Sequence, residues 1–280
     1  MMENGQKQGP DFLVIGAQRA GTTWIHHVLR EHPALWLTPV KELHYFDKLQ
    51  RTRTWLDPRE RRRLRPKADL WHLKYLFGKR SDKWYASLFQ KARDGGFIVG
   101  EVTPTYALLG ENVLLRIRRI NKDVKLIFVM RDPLDRVWSE LNNDVRKGIV
   151  AQTLTPALAL QWVRWRRGIS ESSAYVDTVA RLEAVFPSSQ LHFCFFDDLE
   201  ARPEKFASDL LYFLGAGLEA AAAWLPGPVN VAAGESDIPE GFARVMAKEY
   251  LPMVSQLCDR FEDAPQRWRS RYEKLLARSP

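Results

Sequence analysis

The segment Gly16-Ala17-Gln18-Arg19-Ala20-Gly21-Thr22-Thr23 constrains this chain more than any other. It follows the apolar run Phe12-Leu13-Val14-Ile15, which reads as a buried strand, and opens a stretch from Thr22 to Glu31 that reads as a helix. A glycine-bounded turn between strand and helix aims backbone N–H groups and a helix N-terminus at an anion. The spacing is that of the nucleotide-binding loop G-x4-G-K-[ST], with Thr22 standing where the lysine belongs. That lysine holds the β/γ-phosphates of a nucleoside triphosphate, so its replacement argues against ATP or GTP and leaves the anion cradle in place. Arg19, inside the loop, restores a positive charge from a different direction. The segment predicts a site for a short 5′-anion without a triphosphate tail.

Further strands are expected at Leu35–Leu37, Phe97–Val102, Val124–Met130 and Leu191–Phe196. Helices are expected near Trp84–Arg93, Glu111–Ile120, Arg131–Arg146, Tyr175–Val185 and Pro203–Leu214, and over most of the last forty residues. Strands alternating with helices imply a central parallel sheet covered on both faces. The chain is therefore expected to form a P-loop-type three-layer α/β fold in a single domain, 1–280, with a tail at 1–10 and a basic insertion at 48–83. In such sheets ligands bind beyond the carboxyl ends of the strands. Gly16–Thr23, Glu101–Tyr106 and Arg131–Ser139 all begin at such ends and should meet at one rim.

Charge is unevenly placed. The formal net charge is +8, and residues 48–83 hold 13 Lys/Arg against 4 Asp/Glu, densest at Arg59–Arg65. This run reads either as a surface for an anionic partner or as a solvated insertion. No nucleic-acid-binding module accompanies it, so nucleic acid is not an expected partner. Met1–Pro10 lacks the apolar core of a signal peptide, and no run approaches the 18 or so apolar residues of a membrane span. Cys194 and Cys258 lie far apart in apolar contexts and read as packed thiols. A cytoplasmic location without a membrane span is the expectation. No Cys/His spacing calls for a metal.

Two segments together resemble the sulfotransferases that use 3′-phosphoadenosine 5′-phosphosulfate (PAPS). Gly16–Trp24, G-A-Q-R-A-G-T-T-W, looks like their 5′-phosphosulfate loop, and Arg131–Ser139, R-D-P-L-D-R-V-W-S, looks like the element that grips the 3′-phosphate. Lys41-Glu42-Leu43-His44-Tyr45-Phe46-Asp47 and Gly100–Tyr106 look like segments of the heparan-sulfate-type and related bacterial members. The chain departs from these in carrying Arg19 where lysine is frequent, and Val102 where the heparan enzymes commonly have lysine.

The resemblance implies sulfuryl transfer from PAPS, a donor co-substrate, with no metal. The donor would be held by Gln18, Arg19, Ala20, Gly21, Thr22, Thr23 and Trp24 at the loop, and by Arg131 and Ser139 at the 3′-phosphate. It implies a catalytic set of Glu42 as general base, His44 beside it, and Arg19 neutralising the bridging oxygen. On the residues alone, other readings stay open. Thr22 and Thr23 are also ordinary helix-start residues. In the alternative reading Glu42 pairs with Lys41 or another basic residue and His44 is a bonded core residue, and Glu101 is a third candidate base. His26 and His27 read as packing or surface residues, and Arg136 as either ligand or structural. If residues 42–44 are extended, Glu42 and His44 face one side. Trp55, Trp71, Tyr75, Trp84, Tyr85 and Tyr106 form either an aromatic acceptor cleft or core. The acceptor implied is a hydroxyl, less readily an amine, on a carbohydrate, lipid or carrier-bound acyl group. A kinase with a degenerate loop and a non-catalytic module binding a nucleotide or acidic partner are the alternatives.

Overall fold

The structure, a computed structural model, describes residues 8–48, 70–150, 155–166, 168–217 and 237–277. Residues 49–69, with Trp55 and Arg59–Arg65, and the start of the tail lie outside the described residues.

Five parallel strands, β1 (Phe12–Gly16), β2 (Leu35–Leu37), β3 (Ile98–Val102), β4 (Lys125–Met130) and β5 (Leu191–Phe195), lie in the order β2-β3-β1-β4-β5. The expected parallel sheet, flanked by helices, is what the chain forms. Every residue of β1 is buried, as a central strand covered on both faces requires. Its register sets Leu13 opposite Glu101 on one side and Leu126 on the other. The chain leaves β1 toward β3 and β2, then crosses back to β4. The carboxyl end of β1 is thus the switch point where α/β sheets open a crevice. Gly100 lets β3 approach this closely: a Cβ there would stand 2.4 Å from the Phe12 ring.

Helices form where expected, with ends displaced by a residue or two: Thr22–Glu31, Asp82–Asp94, Glu111–Ile120, Pro133–Arg146, Tyr175–Val185 and Pro203–Leu214. Ser81 caps the second of these by accepting a bond from Trp84 N–H, and Asp132 caps the fourth by accepting one from Leu134 N–H. The C-terminal expectation resolves into Glu240–Cys258 and Ala264–Ala277, packed on each other. Helices at Leu70–Phe77, Pro156–Trp165 and Ile169–Ser173, and the single turn Tyr45–Lys48, add to those expected. Both cysteines are free thiols. Among the described residues no helix is long and apolar enough to cross a membrane.

Candidate active site

Three chain segments meet at the carboxyl end of β1. The loop leaves β1 through Ala17, whose N–H donates to Val129 O of β4 (2.8 Å), and enters the first helix at Gly21. Gly21 takes φ 79°, and a Cβ there would stand 3.0 Å from the Phe196 ring, so glycine is needed both for conformation and for space. Gln18 and Arg19 are partly exposed at the loop crest, while Ala20 and Thr22 are buried. Trp24 turns its ring into the core, edge-on to Phe206 at 6.2 Å. An anion at the loop would therefore meet only its backbone.

The Arg131–Ser139 element comes up beside the loop. Arg19 donates from Nε and Nη2 to Ser139 Oγ at 3.1 and 2.9 Å, and Arg131 donates from Nη1 to the Arg19 carbonyl at 3.0 Å. Arg131 also lies over the Phe196 ring, 4.5 Å from its centroid. Two guanidinium groups and a hydroxyl thus stand together at the helix N-terminus, a donor set suited to an oxyanion. Arg136, left open as ligand or structural, is fully buried and braces Ser173 Oγ and Ile169 O at 2.8 Å each. It belongs to the core.

The third segment carries Glu42 and His44. Glu42 N–H donates to Val102 O (3.2 Å), which fixes this residue at the carboxyl end of β3. The two side chains do meet, with His44 Nε2 3.3 Å from Glu42 Oε2, but not by extended alternation. Both residues are left-handed, at φ 60° and 52°. Arg19 is left-handed as well, at φ 68°. Three side chains of the candidate site therefore sit on backbone that ordinary residues avoid.

His44 Nδ1 lies 2.7 Å from Asp47 Oδ2, and Thr105 Oγ1 donates to that same oxygen at 2.8 Å. The imidazole is held at both nitrogens between two carboxylates. Burial pushes the Glu42 carboxyl up, but the His44 hydrogen bond and the Lys41 charge outweigh it and leave the group below its ordinary value. Asp47 is likewise held down, the His44 and Thr105 bonds outweighing burial. Both are carboxylates at neutral pH, and Glu42 can accept a proton. Lys41, the residue before, reaches Thr23 Oγ1 at 2.7 Å and Glu42 Oε1 at 3.7 Å. Asp47 and Thr105 were not singled out from the sequence, and Lys41 was named there only as an ion-pair partner for Glu42. The signal for Asp47 was its position three residues beyond His44, on what becomes one helical turn.

Glu101 lies apart from this chain of groups. It is 1% exposed and accepts bonds from Tyr85 OH, Thr103 Oγ1 (2.9 Å) and Tyr106 OH (3.2 Å). Burial outweighs those bonds and pushes its pKa up to about 7. Tyr106 OH also accepts from Tyr45 N–H at 2.9 Å, so Glu101 anchors the segment that carries His44. Trp71, Tyr75, Trp84, Tyr85 and Tyr106 are packed. Trp71 stacks on Tyr75 at 5.3 Å and Tyr45 on Tyr85 at 4.6 Å, a wall behind the site. His27 is exposed on the first helix. His26 is buried there, and its pKa falls to about 4 through burial and the nearby charges of Lys41, His27 and Arg30. Among the described residues no group of three His, Cys, Asp or Glu is arranged to hold a metal ion.

The protein-family model described as the sulfotransferase family matches residues 10–220. The membrane-associated sulfotransferase kil1 of Dictyostelium discoideum is 27% identical over 139 residues, 49% of this chain and 23% of that protein. Human heparan sulfate glucosamine 3-O-sulfotransferase 3A1 is 29% identical over 150 residues, 52% of this chain and 29% of that protein. The chain spans about a quarter to a third of the length of the curated relatives it matches. Among solved structures, a sulfotransferase from Alicyclobacillus acidocaldarius aligns with TM-score 0.64 and 21% identity, covering 97% of each chain. The sulfotransferase domain from the curacin biosynthetic pathway aligns with TM-score 0.57 and 17% identity, covering 82% of each. These structures share the fold.

Proposed function

This chain belongs to the sulfotransferase family, and on that premise we propose that it transfers a sulfuryl group from PAPS to a hydroxyl acceptor by in-line displacement. PAPS supplies the sulfuryl group and, as its leaving group, adenosine 3′,5′-bisphosphate. The loop amides with Thr22 and Thr23 hold the 5′-phosphate, and Arg131 and Ser139 hold the 3′-phosphate. Arg19 neutralises charge that grows on the bridging oxygen. Glu42 takes the acceptor proton as the acceptor oxygen bonds to sulfur and the bond from sulfur to the 5′-phosphate oxygen breaks, its electron pair leaving on the bisphosphate. His44, held by Asp47, keeps Glu42 aimed. The protein's contribution is positioning and charge stabilisation.

The observation that carries this reading is the joining of Arg19, Ser139 and Arg131 beside the loop, with Glu42 fixed across the crevice at the end of β3. A triphosphate site would need a cation at position 22, where threonine stands. The acceptor is proposed to be a hydroxyl on a carbohydrate, lipid or carrier-bound acyl group. Glucosamine of heparan sulfate figures in the name of one relative.

Calorimetric titration with adenosine 3′,5′-bisphosphate, against ATP with magnesium, tests the donor site. The wild type should bind the bisphosphate without metal, and Arg131→Ala should weaken it about 10- to 100-fold, as loss of charge-assisted bonds requires. Binding of magnesium ATP alone would return the site to the kinases.

A further inference from the structure

Arg19, the cation expected to compensate for Thr22, directs Nε and Nη2 to Ser139, on the β4 side of the loop. The opposite side of the cradle has a cation of its own. Lys41 Nζ stands 2.7 Å from Thr23 Oγ1, at the opening of the first helix, and 3.7 Å from Glu42 Oε1. Its position is not loose. The next residue is pinned to β3 through Glu42 N–H and Val102 O, at 3.2 Å. About a quarter of the Lys41 side chain is exposed, so the ammonium borders the crevice without being dispersed in solvent.

In the sulfuryl-transfer reading, on which this inference rests, Thr23 lies under the 5′-phosphosulfate and Glu42 faces the acceptor. In-line transfer carries sulfur from the first toward the second. A group bonded to Thr23 and paired with Glu42 stands beside that path. We propose that Lys41 is a donor-contacting residue whose ammonium holds a non-bridging oxygen of the sulfuryl group. It would supply, from outside the loop, the charge that position 22 lacks. An ammonium has three donors: one serves Thr23 and a second faces Glu42, which leaves a third for a sulfuryl oxygen. Burial lowers the Lys41 pKa while Glu42 opposes the fall, the mark of an ammonium with little water around it. Lys41 makes and breaks no covalent bond. The proton still passes from acceptor to Glu42, and the electron pair still leaves on the bisphosphate.

A purely structural role, as an ion-pair partner that steadies Glu42, predicts something different, and the two ligands separate them. Adenosine 3′,5′-bisphosphate has the 5′-phosphate but no sulfuryl group, whereas PAPS has both. The full chain, with Lys41→Met and Lys41→Arg, is titrated with each ligand by calorimetry in the absence of acceptor. Lys41→Met should weaken PAPS about tenfold or more and leave bisphosphate affinity within about twofold, and Lys41→Arg should recover part of the loss. Equal weakening of both ligands would make Lys41 a support for the 5′-phosphate cradle and overturn the proposal. Unchanged affinity for both would overturn it too, leaving only the ion pair. Failure of the wild type to bind the bisphosphate would instead remove the sulfuryl-transfer reading.

Discussion

A carboxylate that is to accept a proton must be ionised when the substrate arrives, and at Glu42 that condition depends on a neighbour two hydrogen bonds away. Asp47 holds His44 Nδ1, and His44 Nε2 holds Glu42. The His44 bond is the strongest of the influences that hold the Glu42 pKa down, so losing it would let the pKa rise. Asp47→Asn should therefore move the acid limb of the kcat/KM profile to higher pH and lower kcat less than Glu42→Gln does. Glu42→Gln should cost about 10²- to 10⁴-fold in kcat, the usual worth of a general base, with bisphosphate binding retained. A pH–rate series on both variants reads this directly, and full kcat in Glu42→Gln would remove the residue from the role. Glu42 and His44 were legible in the sequence as a pair, but the alternation argument for their meeting does not apply to left-handed residues. Lys41 reaches Thr23 across 18 positions of sequence, and a contact of that range leaves no trace in local spacing.

Among the elements, β3 does more than fill the sheet. Its Glu101 is closed off by Tyr85, Thr103 and Tyr106, and Tyr106 in turn holds the Tyr45 backbone. A carboxyl with a folded pKa near 7 and an ordinary value of 4.5 keeps its proton in the native state over a range where the unfolded chain gives it up. Wild-type stability from this residue is full below about pH 4.5, falls as pH rises toward 7, and then levels. Glu101→Gln keeps an acceptor for the hydroxyls and removes the titration. The variant should gain on the wild type as pH rises from about 4.5 to 7, measured as the difference between their urea midpoints at each pH. Hydrophobic runs showed where the strands lie, since buried parallel strands are continuously apolar. They did not show the order β2-β3-β1-β4-β5, which follows from pairing across the molecule. The helix Ile169–Ser173 was missed because five residues give periodicity too few turns to appear, and Pro156–Trp165 because its apolar residues lie on every face, with Leu158 and Trp165 exposed. Arg131, just past the end of β4, lies at the rim, whereas Arg136, inside the helix Pro133–Arg146, is turned into the core, a difference the residue type alone does not carry.

On the scale of the whole molecule, the C-terminal helix Ala264–Ala277 is fastened to the element that ends at Ser139. Arg271 Nη1 donates to Asp132 at 2.7 Å and to Asp135 at 2.8 Å, and Tyr272 OH donates to Asp132. Burial and the Asp135 charge push the Asp132 pKa up to about 6. Arg271→Ala should lower the melting temperature by several degrees, and by more above pH 6 than below it, because the two carboxylates then repel without a cation between them. Differential scanning calorimetry at pH 5 and pH 8 measures the contrast, and an equal loss at both would separate the latch from this titration. The mostly helical C-terminus was readable from the sequence. Its attachment to Asp132 was not, since the contact joins residues about 140 positions apart.

The left-handed conformation of Arg19, Glu42 and His44 sets stability against chemistry. At φ between 52° and 68°, glycine carries no Cβ penalty, whereas other residues meet a cost of about 1–2 kcal/mol. Selection of this chain for heat resistance alone would favour glycine at these three places, and each gain would delete a side chain that the proposed reaction uses. A thermostability library should hold those codons fixed, and a natural homologue with glycine at all three would be a scaffold that had given up this catalysis.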